Sequence, residues 1–295
     1  MREARPQPAT PKSLKFLYNT AFGSLVLRLI TRRWLSKLAG KYMSSRLSKR
    51  KIKKYIKKYG IDMSCFIEEE YKCFNAFFTR RIKPELRPFD MDGDAFLSPC
   101  DGLVSAYNIE PGLKFNVKGF DYDLNTLLRD EELASRYDGG LCIVFRLTVT
   151  DYHRYFFTDG GTARGNKFIK GRLHTVQPAA LQKKRVFTEN CREVTVLDTD
   201  HFGTMTQVEV GAMMVGRISN AVKEGRFERG DEKGWFDFGG STIILLVEKD
   251  KVALDEEFIE NTKNDLETVV KCGETIGRSP EAQAADLQAA EETSV

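Results

Sequence analysis

Four things are scarce in this 295-residue chain, and each scarcity excludes something. Long apolar runs are missing: between Lys15 and Arg28 only the twelve residues Phe16 to Leu27 are uncharged, short of the roughly 20 that a membrane-crossing helix needs. Six cysteines, Cys65, Cys73, Cys100, Cys142, Cys191 and Cys272, are scattered without a CxxC pair. That spacing argues against a zinc site or a disulfide framework and for reduced thiols in a cytosol-facing protein. Histidine is limited to His153, His174 and His201. Acid is nearly absent from the first 61 residues, where Glu3 stands alone against 17 Lys/Arg.

The net charge of +4 therefore hides an asymmetry, because the remainder of the chain holds 41 acidic against 29 basic residues. A basic arm joined to an acidic body points to a polyanionic partner for the arm. With 41% hydrophobic residues, the chain has enough apolar mass for one large domain plus an appended segment, which excludes a disordered or fibrous class.

Within the arm, Leu14, Leu17, Tyr18, Ala21, Phe22, Leu25 and Leu29 recur at steps of three and four, the signature of an apolar stripe on a helix. Arg28, Arg32, Arg33 and Lys37 follow, with Trp34 among them. Apolar residues with cations beside them describe a helix lying at a membrane interface; the alternative is a helix packed on the protein body. The run SKRKIKKYIKKYGI (48 to 61) adds seven cations interleaved with Ile52, Tyr55 and Ile56. Nucleic acid is the usual rival partner, but no nucleic-acid motif accompanies the patch, so an anionic membrane surface is the expectation. The arm implies peripheral association with the cytoplasmic face of a bacterial cell membrane; an Arg-rich, acid-poor start also fits an organelle transit peptide and an organelle inner membrane.

From about residue 95 the texture changes to short β-rich runs separated by Gly, Asp and Asn. Expected strands are 141 to 149, 192 to 198, 206 to 218 and 241 to 249, with a helix over 122 to 136. The Ala/Glu/Gln-rich stretch 279 to 295 reads as a disordered tail. The expected class is α+β: a β-rich core over 62 to 278 behind a helical, basic arm over 1 to 61.

The segment GWFDFGGSTIILLVEKD (234 to 250) sets Gly239, Gly240 and Ser241 where a turn enters an apolar strand. Alone, these residues describe an ordinary turn. The glycine ahead of Ser241 does leave an unhindered carbonyl that the hydroxyl could attack, given backbone strain and a nearby base.

Several separate blocks between about residues 72 and 278 alter that reading. FNAFFTRRIKPELRPFD (74 to 90), SPCDG (98 to 102), TDYHR (150 to 154), EVGAMMVG (209 to 216) and FGGST (238 to 242) resemble, in order, the motifs of the phosphatidylserine decarboxylase family. The resemblance implies a chain that cuts itself between Gly240 and Ser241 into a β chain (1 to 240) and an α chain (241 to 295). Ser241 would become a covalent pyruvoyl cofactor that binds the amine of phosphatidylserine as a Schiff base and accepts the electrons released with carbon dioxide. The product would be phosphatidylethanolamine. The resemblance makes Asp101 the acidic member of an Asp/His/Ser relay, with a turn residue as the plainer reading. It makes His153 a candidate for substrate handling or proton transfer, with a structural imidazole as the plainer reading. No metal site is implied, and self-association is left open.

The chain departs from that family pattern at one place. Where a second histidine usually follows Asp-Tyr-His-Arg, the sequence has Tyr155 and Phe156, and a phenyl ring cannot move a proton. His174, in GRLHTVQPAAL, offers a compensating imidazole if a neighbouring segment brings it to the same pocket. Otherwise His153 does both jobs, or the chain is an unprocessed, non-catalytic membrane-binding homologue. A pyruvoyl enzyme for a soluble amino acid is disfavoured, having no use for the arm. His201, in DTDHFG, reads as a turn residue.

Overall fold

The computed structural model describes residues 1–117, 119–213, 217–239 and 241–293. Gly240, and Met214 to Gly216 at the end of the EVGAMMVG block, lie outside the described residues.

Among the described residues, nine strands form one antiparallel sheet: β1 (Ala4–Pro6), β2 (Gly102–Asn108), β3 (Leu141–Leu147), β4 (Gly161–Ile169), β5 (Arg192–Thr199), β6 (Thr204–Gly211), β7 (Gly225–Phe227), β8 (Ser241–Val247) and β9 (Leu266–Val270). Their spatial order is β1-β9-β2-β3-β8-β6-β5-β4-β7. Strand β8 is buried at all seven positions and paired on both sides, with β3 and with β6. Its sequence, STIILLV, is an unbroken apolar run after two hydroxyl residues, as expected for a strand covered on both faces. Alternation divides those side chains between two cores. Ile244 and Leu246 join Val144, Val208 and Val210 on one face, while Ile243, Leu245 and Val247 join Ile143, Phe145 and Leu147 on the other. Together with the helices this is an α+β fold.

The strands expected from 141, 192 and 241 occur with ends shifted by at most two residues, whereas the one expected over 206 to 218 runs over Thr204–Gly211 and ends seven residues early. The helix expected over 122 to 136 does not form as one piece. Residues Phe120–Asp123 are a strand, and two short helices, Leu124–Leu128 and Glu131–Ser135, follow. Asp123 and Asp130 each cap a separate helix start by accepting a backbone N–H, and Arg129 between them is left-handed (φ 50°), which ends the first helix. The stretch after Ser279, expected to lack structure, includes a helix at Pro280–Thr293, consistent with its strong helix formers.

The arm is built from α1 (Lys12–Asn19), α2 (Ala21–Ile30), α3 (Arg33–Met43) and α4 (Lys51–Tyr59), followed by α5 (Phe74–Phe78). The apolar stripe seen in sequence is broken at Thr20, whose hydroxyl accepts the Gly23 N–H and starts a new helix. A Cβ on Gly23 would lie 2.1 Å from the Phe16 carbonyl oxygen, so glycine is what lets α2 fold back closely on α1. The two halves of the stripe then diverge. Leu14, Leu17 and Tyr18 are half-buried, whereas Phe22, Leu25 and Leu29 are exposed.

Residues 1–61 are not set apart from the body. β1 pairs with β9, Arg2 bonds Asp255, Glu257 and Glu274, the Leu173 N–H donates to the Thr31 carbonyl, and the Tyr55 hydroxyl donates to the Val149 carbonyl. Among the described residues no helix is long and apolar enough to cross a membrane.

Candidate active site

Ser241 is the first residue of β8, and the sheet register fixes what surrounds it. It lies opposite Gly211 of β6 on one side and Leu147 of β3 on the other. β2 runs back to Gly102 at the same end of the sheet, which sets Asp101 beside the segment that leaves β3. That segment, Thr148 to His153, ends beside the chain leading into β8, where the Phe236 N–H donates to the His153 carbonyl at 3.0 Å. Three of the residues singled out from sequence, Ser241, Asp101 and His153, therefore gather at one end of the central strands.

The Ser241 Oγ is fully buried and has no hydrogen-bond partner among the described residues. The same holds for the Nε2 of His153. Unpaired buried polar atoms cost about 1 to 3 kcal/mol each, so two of them in one place call for a reason beyond stability. The other ring nitrogen of His153, Nδ1, sits 2.8 Å from the Asp151 carbonyl oxygen. That acceptor fixes Nδ1 as the protonated atom and leaves Nε2 as a bare acceptor. The ring packs on Phe78, with centroids 4.0 Å apart, and against the backbone of Gly239, two residues before Ser241. Burial, only partly offset by the Asp151 carbonyl, drives its pKa down to about 3. The imidazole is thus neutral at physiological pH with the Nε2 lone pair free, while burial works against its holding a proton.

Asp101 is buried, but its carboxylate is not turned to an imidazole. Arg87 holds both oxygens, through Nε at 3.0 Å and Nη2 at 2.7 Å, and the Cys272 N–H donates to Oδ1 at 2.9 Å. Phe156, at the position where the second histidine was expected, does reach this turn, since its N–H donates to the Pro99 carbonyl at 2.9 Å. Its ring packs on Phe89 and Tyr152. Asp101 influences His153 through its charge rather than through a hydrogen bond.

His174 is not brought to this place. Its Nδ1 faces the Tyr18 hydroxyl at 3.3 Å, its Nε2 faces Glu189 at 3.5 Å, and its backbone is bonded to Asn190. Leu173, one residue earlier, reaches the Gly211 position from the Ser241 side of the sheet. The alternation of an extended segment sends His174 the other way, toward Tyr18 and the core that contains Val176. His201 pairs with buried Asp159 at 2.8 Å, away from β8.

Several participants carry no signal of their own in the sequence. Asp151 sits within a motif block that gives it no role; its Oδ2 accepts the Thr148 N–H at 2.6 Å and so shapes the turn that carries His153. Burial holds its carboxyl above the usual range. Arg87 and Asn75 lie inside the 74 to 90 block, which marks them only as part of a motif.

Comparison with known proteins completes the identification. Residues 74–278 match the family model described as phosphatidylserine decarboxylase. The chain is 44% identical to phosphatidylserine decarboxylase proenzyme 2 of Clostridium acetobutylicum over 268 residues, covering 90% of this chain and 91% of the relative. It is 41% identical to a phosphatidylserine decarboxylase proenzyme of Clostridium perfringens (92% and 94% covered) and 38% identical to one of Desulfitobacterium hafniense (91% and 92% covered). The chain is thus a decarboxylase, a carboxy-lyase, which sets aside the non-catalytic reading. The chain is a member of the phosphatidylserine decarboxylase family.

The low pKa of His153 has a consequence for stability. Its folded value, about 3, lies below the ordinary 6.5, so the folded state disfavours the proton. The stability this contributes is complete above pH 6.5 and is lost as pH falls toward 3, at up to about 1.4 kcal/mol per pH unit. Thermal midpoints measured from pH 7 to 4 should therefore fall more steeply for the wild type than for His153→Gln. Parallel curves would contradict a buried, neutral imidazole.

Proposed function

We propose that this enzyme cuts itself between Gly240 and Ser241 and, with the pyruvoyl group so formed, converts phosphatidylserine to phosphatidylethanolamine at a membrane surface. The observation that carries the proposal is the pair of atoms, Ser241 Oγ and His153 Nε2, that are buried and without a hydrogen-bond partner among the described residues. His153 takes the hydroxyl proton only in passing and hands it to the Ser241 nitrogen, as the Ser241 hydroxyl oxygen attacks the preceding carbonyl and the C–N bond breaks, turning the peptide into an ester with a free amine. Elimination then releases the carboxylate of the shortened chain, and hydrolysis with loss of ammonia leaves a ketoacyl group at the new N-terminus. Asp151 and Phe78 orient the imidazole, while Asp101, held in place by Arg87, favours a proton on it through its negative charge. The names of the relatives, which describe proenzymes, agree with a processed precursor. The fit of the site to the cofactor is favourable, because the group would be generated from Ser241 itself within a dry, apolar strand end. When present, a pyruvoyl group supplies an electron sink for loss of a carboxylate.

Cleavage at this junction is tolerable for the fold. Residues 243 to 247 of β8 are fully buried, and at about 1.5 to 3 kcal/mol per large apolar side chain they contribute on the order of 10 kcal/mol. That burial and two strand partners hold the small chain without a peptide link.

The arm supports a lipid substrate. On α3, Trp34, Leu38 and Tyr42 are exposed at steps of four. Arg33, Lys37 and Lys41, each one residue earlier, line a cavity of about 820 Å3 with Arg217 and Lys223 from the body. The same cavity touches Gly211, the register partner of Ser241. A helix with its aromatic edge in the acyl boundary and its cations over the cavity suits an anionic phosphodiester headgroup.

Three outcomes test the proposal. Denaturing electrophoresis and intact mass should show two chains, the smaller beginning with a pyruvoyl group at residue 241, and Ser241→Ala should give one band near 33.6 kDa with no carbon dioxide release; an uncut, active wild type would refute it. His174→Phe should cleave at the wild-type rate, since its ring faces Tyr18 and Glu189, and lost cleavage would return His174 to the relay. Reversing two charges, Lys37→Glu with Lys41→Glu, should raise the KM for phosphatidylserine vesicles at least about tenfold at low salt, from about 1 kcal/mol per cation, with self-cleavage intact.

A further inference from the structure

The segment that carries the cleavage junction is gripped by one side chain. Asn75 is the second residue of α5, and both ends of its carboxamide are used. Nδ2 donates to Asp237 Oδ1 at 3.0 Å, and Oδ1 accepts the Phe238 N–H at 2.9 Å. A backbone N–H only donates, so the orientation of the amide is fixed by its partners. The neighbours of Asn75 on the same helix close on the same residue: the rings of Phe74 and Phe78 meet the Phe238 ring edge-on, with centroids 5.1 and 5.2 Å apart. Phe78 also packs on His153. Beyond this grip the chain enters Gly239, at φ 146°, and reaches Ser241. The remaining support for 237 is the bond from its N–H to the Arg217 carbonyl, with the Trp235 side chain and the Arg217 charge facing the carboxylate.

We propose that Asn75 is the positioning residue of self-cleavage: its amide sets the path of residues 237–239, which lead into the cleavage junction. This inference rests on the self-cleavage reading above. Intramolecular attack depends steeply on alignment, and an error of about 1 Å costs on the order of a hundredfold in rate. The position needs a donor toward Asp237 and an acceptor toward Phe238, which a carboxamide provides and a carboxylate does not. Asn75→Asp would instead set two carboxylates face to face.

That polarity permits a rescue. When Asn75→Asp is combined with Asp237→Asn, the carboxylate introduced on α5 would accept from both the new side-chain amide at 237 and the Phe238 N–H. Two hydrogen bonds are restored, with the direction of the one to residue 237 reversed. Cleavage is followed by pulse-chase in cell-free translation of the full chain. Asn75→Asp should slow it about tenfold or more, Asp237→Asn by less than about threefold, and the double variant should return to within about threefold of wild type. Each substitution is also placed in the Ser241→Ala precursor, where the thermal midpoint reports the fold without cleavage. Wild-type cleavage rates in Asn75→Asp, a double variant no faster than Asn75→Asp, or rates that simply track the thermal midpoints would overturn the clamp. A wild-type chain that never cleaves would overturn the self-cleavage reading and the clamp with it, whereas the other outcomes leave that reading standing.

Discussion

The pairing of β8 between β3 and β6 is the constraint on which the rest of this structure depends. Seven consecutive residues are bonded to a strand on each side and covered on both faces, so neither their register nor their direction can drift. A slip of one residue would send Ile243, Leu245 and Val247 to the wrong core. Because Ser241 is the first residue of that strand, the same constraint that specifies the core also sets a hydroxyl at a defined point on its edge. The turn leaving β3 and the turn entering β2 are fixed to the same end by the same ladder, and they bring His153 and Asp101 with them.

What collects there is destabilising. Among the described residues a buried hydroxyl and a buried imidazole nitrogen lack partners, an Asp is held above its usual pKa by burial, and a half-buried loop is bonded to the amide of Asn75. Such local costs persist only because the apolar strands beneath are so well covered. Two buried ion pairs, Arg146 with Glu267 and Lys233 with Glu209, show the contrasting arrangement, in which every charge has its counterion. Against that background the Ser241 hydroxyl and the His153 Nε2, unpartnered among the described residues, stand out.

The basic arm serves two purposes, divided along its length. Its first helix lays Leu14, Leu17 and Tyr18 against the body, and the break at Thr20 and Gly23 turns the next helices so that Phe22, Leu25, Leu29, Trp34 and Leu38 face outward. The cations of α3 then lie between that apolar edge and the cavity that reaches Gly211. An exposed apolar edge and the basic lining of a cavity that reaches the register partner of Ser241 are thereby built from one short segment of chain.

Much of this is readable in order along the chain. The apolar run after Ser241, the alternating and β-branched runs at 141, 192 and 206, and the charge asymmetry about residue 61 reflect local composition, and local composition is what sequence records directly. The motif blocks also single out Ser241, Asp101 and His153, without showing that they meet. The single helix expected over 122 to 136 fails because two Asp caps and a left-handed Arg129 outweigh its periodicity. The position of His174, beside Tyr18 and Glu189, is hidden for a different reason: one step along the chain decides which face a side chain occupies, and only the packing partners reveal it. The same limit hides the engagement of Asp101 by Arg87 and of Asp237 and Phe238 by Asn75. These contacts join residues 14 to 163 positions apart, and their existence is a property of the packed sheet, decided by which strand ends the hydrophobic register brings together.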